Sequence, residues 1–170
     1  DNKQLRNVSL FTLMNLLPCL ERLRVSEIIC RAMTHFLDEH KECLSKEEPD
    51  EEFAEEIVSI FLPIMKGNVS FSNTHATLIS HGMQDIVNTA AAYASKFNNV
   101  AMARLCSEIF LALFLTKDSP SVKELVTEAA FTDIVASSLE FKDSHVLRYT
   151  MRTVTLLSGL PTLVYCVSEP

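Results

Sequence analysis

The chain holds 170 residues, close to half of them hydrophobic, with a formal net charge of −7 and only three glycines. That balance supplies a core for one domain and speaks against a general nucleic-acid binder, because neutralising phosphates needs clustered Lys and Arg. No apolar stretch reaches the length of about 18 residues that a bilayer span requires, since Arg, Glu, Lys, Asp or Asn interrupts each candidate.

Taken in chain order, the pattern is helical. Ser9 is placed to cap a helix carrying Leu10, Leu13, Leu16, Leu17, Leu20 and Leu23, with Pro18 kinking or breaking it. A second helix is predicted over Val25–Leu37, with Ile28, Ile29, Ala32, Met33 and Phe36 on its buried side, and the two form an antiparallel pair. Asp38 to Glu56, acidic around Pro49, reads as a solvated loop leading into a helix N-terminus that favours negative charge. Phe53–Met65 is the next helix, with Phe53, Ile57, Val58, Phe61 and Leu62 as its stripe and Gly67 as its stop.

A polar turn over Lys66–Thr74 precedes a short helix ending near Gly82, then helices over Gln84–Lys96 and Val100–Leu115. After the loop Thr116–Ser121 the order of short, medium and long helices returns as Val122–Ala130, Thr132–Phe141 and His145–Leu157. Gly159 and Pro161 close the last helix, and Leu160–Val167 forms a terminal apolar segment.

Two phrases recur at a helical-repeat spacing of about 45 residues. Leu17-Pro18-Cys19-Leu20 returns as Leu62-Pro63-Ile64-Met65, and the stretch Leu78–Val87 is echoed by Leu125–Val135. Leu125–Gly159 resembles an armadillo repeat: a short first helix ends at a small residue, Ala129, an Ile134-Val135 second helix follows, and a third runs from Asp143 to Leu157. Leu78–Leu115 is similar, with Gly82 in its turn, and the earlier units with their internal proline resemble HEAT repeats. The resemblance implies an all-α, right-handed α-solenoid of about three to four armadillo/HEAT-like repeats spanning residues 1–170. The opening Asp1-Asn2-Lys3 reads as a domain excised from a longer protein.

Chemistry-bearing residues do not form a familiar motif. The five cysteines lack a Cys-x-x-Cys pair and suit a reducing, intracellular setting, cytoplasm or nucleus. Cys30, His35, His40 and Cys43 cannot converge as metal ligands from one helix, because Cys30 and His35 diverge by roughly 140°. Gly67, Gly82 and Gly159 stand too far apart for a phosphate loop, and Cys106 lies among apolar neighbours as a core thiol. No catalytic, cofactor or metal residue is therefore assigned.

The candidate partner-binding residues are Arg31, His75, Arg104, Arg148 and Arg152. Arg31 and His75 stand about 44 residues apart, as do Arg104 and Arg148, so successive repeats would carry a donor at one position. Arg152 extends the stripe by one turn. The plainer account pairs these arginines with Glu27, Glu108 or another neighbour. Peptide-binding armadillo proteins hold their ligand's backbone with an asparagine late in the third helix. Neither Leu111–Leu115 nor Thr155–Gly159 contains one.

The expected function is a non-enzymatic scaffold displaying a groove for a partner helix or extended peptide, with acidic ligands suited to the arginines and no nucleic acid or membrane partner. The alternative is a self-assembly module, a homo-oligomer joined through Leu160–Val167; a thiol or metal enzyme is the remote third reading.

Overall fold

Apolar periodicity resolves into helix throughout the computed structural model, which describes residues 22–69, 82–115 and 138–157 together with residues 4, 5, 8, 9, 12, 135 and 136. The fold is all-α, with no strand among the described residues, and no helix there is long and apolar enough to cross a membrane. The elements are α1 (Arg22–Glu39), α2 (Lys41–Ser45), α3 (Glu51–Glu56), a π-helical turn (Ile57–Phe61) leading directly into α4 (Leu62–Val69), α5 (Met83–Phe97), α6 (Val100–Phe114) and α7 (Ser144–Leu157). The expected short helix before Gly82, the region 116–134 and the terminal segment Leu160–Val167 lie outside the described residues.

Several expectations are corrected. Ser9 does not cap a helix; it sits within helical backbone and its hydroxyl donates to the Leu5 carbonyl 2.7 Å away. Cys30, Met33, Phe36 and Leu37 define the buried stripe of α1. Ile28, expected inside, lies roughly 150° from the centre of that stripe and is 48% exposed. The acidic loop is also shorter than the sequence suggests, because α1 continues to Glu39 and α2 occupies Lys41–Ser45.

Gly67 does not stop its helix, which runs on to Val69. The irregularity falls earlier, where the Leu62 N–H donates to the Ile57 carbonyl five residues back. Pro63 follows immediately, and in a regular helix its ring would collide with the carbonyl of Ser59. The widened turn accommodates the ring while keeping Phe61, Leu62, Ile64 and Met65 buried.

Asp50 closes the loop before α3 as its N-cap, accepting from the Phe53 N–H at 3.0 Å, with Glu51 and Glu52 in the favoured first turn. Tyr93 of α5 pins the same residue twice: its hydroxyl accepts from the Asp50 N–H at 2.9 Å and donates to the Asp50 carbonyl at 3.1 Å. Stacked rings join the same elements. Phe36 lies 4.5 Å from Phe61 and 5.7 Å from Phe53 between centroids, and Phe53 meets Tyr93 edge-on at 4.9 Å.

Between α5 and α6 the chain reverses on two asparagines. Asn98 takes the left-handed conformation at φ 53°, donating its N–H to the Ser95 carbonyl while Asn99 donates to that of Ala94. The Asn99 side chain then caps α6 by accepting from the Met102 N–H at 3.0 Å. Helix α6 is the centre of the fold: α4, α5 and α7 all pack against it, and Met102, Ala103, Cys106, Ser107, Ile109, Phe110, Leu111 and Leu113 are buried.

Phe36 anchors the ring stack, whereas Ile28 faces solvent. Phe36→Ala is therefore expected to lower unfolding free energy by about 3–5 kcal/mol, and Ile28→Ala to change it by less than about 0.5 kcal/mol. Denaturant titration of both variants checks that Phe36 is buried as expected and that Ile28 is not.

Candidate functional site

Helix α6 carries two charges, Arg104 and Glu108, one turn apart on an element otherwise apolar but for Ser107. Glu108 is largely buried and turns to partners on two neighbouring helices, whereas the exposed Arg104 reaches the carboxylate that starts α7. The Glu108 side chain retains 15% exposure; His145 Nε2 of α7 lies 2.8 Å from its Oε1, and the Lys66 ammonium of α4 lies against its Oε2. One carboxylate thus ties three helices together. The His145 ring also stacks on Tyr149, with centroids 4.5 Å apart.

Arg104 forks onto Asp143, with Nη2 donating to Oδ2 at 2.6 Å and Nε to Oδ1 at 3.2 Å. Asp143 simultaneously starts α7, its Oδ1 accepting the backbone N–H groups of His145 and Val146 at 3.0 Å each. The Arg104 guanidinium, followed by the Val146 amide, holds the Asp143 carboxyl at about 2, well below its ordinary 3.8. Asp50 is held at about 2 in a similar way, first by the Phe53 amide and then by Lys46.

The candidate partner-binding residues divide into two groups. Arg31 lies on the solvent face of α1, with Nη2 2.6 Å from Glu27 Oε1 one turn away, and Arg104 is engaged by Asp143 rather than by Glu108. Arg148 and Arg152 share α7, are both exposed, and make no ion pair among the described residues. His75 lies outside the described residues. Helix α7 buries Val146, Thr150 and Thr153 against the core, which sends Ser144, Arg148, Met151, Arg152 and Thr155 outward on one face. Met151 is 54% exposed between the two arginines, and α7 contains no Asp or Glu.

Sequence reasoning placed the arginines on long helices but missed Lys66, Asp143 and His145 as the groups that hold those helices together. A usable signal existed: two opposite charges embedded in the apolar run Val100–Phe114 must be answered from elsewhere in the chain.

The sulfur and imidazole groups near α1 take separate roles. Cys30 is buried in the core, where desolvation raises its thiol to about 11; Cys106 is likewise pushed up by burial. His35 points to solvent beside Glu39, and His40 stacks on Phe36 with Nδ1 2.9 Å from the Phe36 carbonyl. Cys43 donates to Asp50 Oδ2 at 3.3 Å. Among the described residues no three His, Cys, Asp or Glu side chains converge as metal ligands.

A cavity of about 410 Å³ opens between α1 and α5, floored by Leu37, Leu44 and Ile86 and bordered by Asp38 and Asp85. The two threonine hydroxyls on its wall, Thr34 and Thr89, donate to the carbonyls of Cys30 and Asp85 one turn back in their own helices.

Because Asp143 is held ionised in the fold, its contribution to stability is complete above the ordinary range near 3.8 and disappears as pH falls toward about 2. Asp143→Asn is expected to flatten the loss of stability between about pH 4 and pH 2, measured by urea unfolding at stepped pH. Equal slopes in wild type and variant would remove the Arg104 pairing as a source of acid lability. Compared with known protein families, curated proteins and solved structures, the chain matches none.

Proposed function

We propose that this chain is a non-enzymatic protein-interaction module whose α7 face receives an acidic helix or extended segment of a partner. The observation that carries this reading is the contrast among the arginines. Arg31 and Arg104 are engaged by carboxylates of their own chain, whereas Arg148 and Arg152 stand one turn apart, exposed and without such a partner among the described residues, with Met151 between them. A planar guanidinium offers a fork of donors matched to a carboxylate, and an apolar anchor flanked by charge is a common way to receive a helix.

The repeat reading fits alongside. Helices α5 and α6 form a hairpin with a two-residue turn, and α7 lies against α6, an order compatible with stacked armadillo/HEAT-like units in a right-handed solenoid. Three buried free thiols, Cys30, Cys43 and Cys106, suit a reducing intracellular compartment.

Fluorescence anisotropy with a labelled helical peptide bearing two glutamates one turn apart tests the face. Arg148→Glu combined with Arg152→Glu is expected to weaken binding by about tenfold or more with an unchanged melting temperature, and Arg31→Ala to leave affinity unaltered. Equal affinity across the three proteins would withdraw α7 as the docking surface.

A further inference from the structure

We infer that the α7 face of one copy of this chain can pair with the α3 edge of a second copy, giving a weak, salt-sensitive self-association. This rests on the docking role of α7 proposed above and names its occupant. The two edges have matched spacing. Arg148 and Arg152 on α7 are exposed, four residues apart and unpaired among the described residues. Glu51 and Glu55 on α3 are also exposed, four residues apart and unpaired among the described residues. Residues at that interval project from one helix face with their Cβ atoms about 6 Å apart, so two guanidinium groups on one copy meet two carboxylates on the other in register.

The surroundings agree with this pairing. Met151 is exposed to one side of the arginines, and Pro49 is exposed two residues before Glu51, so an apolar contact can border the charged pairs. Both edges are built rigidly: Asp50 caps α3 and is pinned by Tyr93, and Asp143 caps α7 and is gripped by Arg104. Little side-chain-bearing backbone must be ordered on association.

Net charge opposes the pairing, since two copies at −7 repel. At about 0.1 M salt the Debye length is about 10 Å, so repulsion between distant parts of two copies is largely screened while charges in contact still attract. Association is therefore expected near that ionic strength and is lost near about 1 M, where the screening length is about 3 Å.

Sedimentation velocity over a concentration series tests the inference. Wild type is expected to associate at moderate salt. Arg148→Glu with Arg152→Glu, and separately Glu51→Arg with Glu55→Arg, are each expected to reduce the association constant by about tenfold or more. An equimolar mixture of the two reversed proteins should associate again, because each then meets opposite charge on the other at both edges. Circular dichroism on each variant establishes that it is folded, and Arg148→Gln with Arg152→Gln gives a milder loss without introducing acid.

A wild type that stays monomeric at every concentration and salt overturns the inference, as does unchanged association in either reversed variant. Failure of the mixture to recover overturns it as well. A monomeric wild type that still binds the acidic peptide through Arg148 and Arg152 would remove the second copy alone and leave the docking reading standing.

Discussion

The burial of α6 is the constraint from which the other helices take their places. An element covered on three sides must be apolar over most of its surface, and Val100–Phe114 is so except at Arg104, Glu108 and Ser107, whose hydroxyl is satisfied by the Arg104 carbonyl. A carboxylate with 15% exposure is tolerated only when paired, so Glu108 requires the Lys66 and His145 that it has, one from each flanking helix. Arg104 in turn fixes Asp143, the residue from which α7 begins. Two charges on the central helix thereby set both the position and the starting point of its neighbour. Once Val146, Thr150 and Thr153 face α6, helical geometry leaves Arg148, Met151 and Arg152 facing outward.

Short polar side chains do the corresponding work at the helix ends. Asp50 and Asp143 each cap a helix and also bind a cation, Lys46 and Arg104 respectively. These two tasks reinforce each other, because a carboxylate accepting backbone N–H groups at a helix start is already favoured in its charged form. The asparagine pair at positions 98 and 99 divides the labour differently. One residue ends α5 in the left-handed region and the next opens α6, so the hairpin needs no further linker.

Much of the fold was legible because it depends on local pattern. Gln84–Lys96, Val100–Leu115 and His145–Leu157 differ from the observed helices by a residue at each boundary that moved, since apolar periodicity and turn residues both act over a few positions. Ile28 was misplaced for a physical reason: hydrophobicity alone does not choose a face, and the stripe of Cys30, Met33, Phe36 and Leu37 is decided by the rings of α3 and the π turn. Gly67 was misread because a glycine can sit inside a helix when packing of the turn before it holds the chain there, as Ile64 and Met65 do. At the candidate site, the arginines could be found from sequence but not sorted. Arg31 has its carboxylate four residues away and was readable, whereas Arg104 finds Asp143 across 39 positions of chain.

That sorting decides which charges remain available for function. An exposed arginine joined to a carboxylate of its own chain must give up that contact before it can grip another, so Arg31 and Arg104 contribute less to a partner than their exposure suggests. Arg148 and Arg152 carry no such penalty among the described residues, and on a helix without Asp or Glu their fields add. Net charge describes how the whole molecule is seen from beyond a Debye length; within that distance the outward face of α7 is basic on a chain of net charge −7. On a chain of that net charge α7 is thus a local exception, and the acidic segment proposed to dock there would meet attraction at contact.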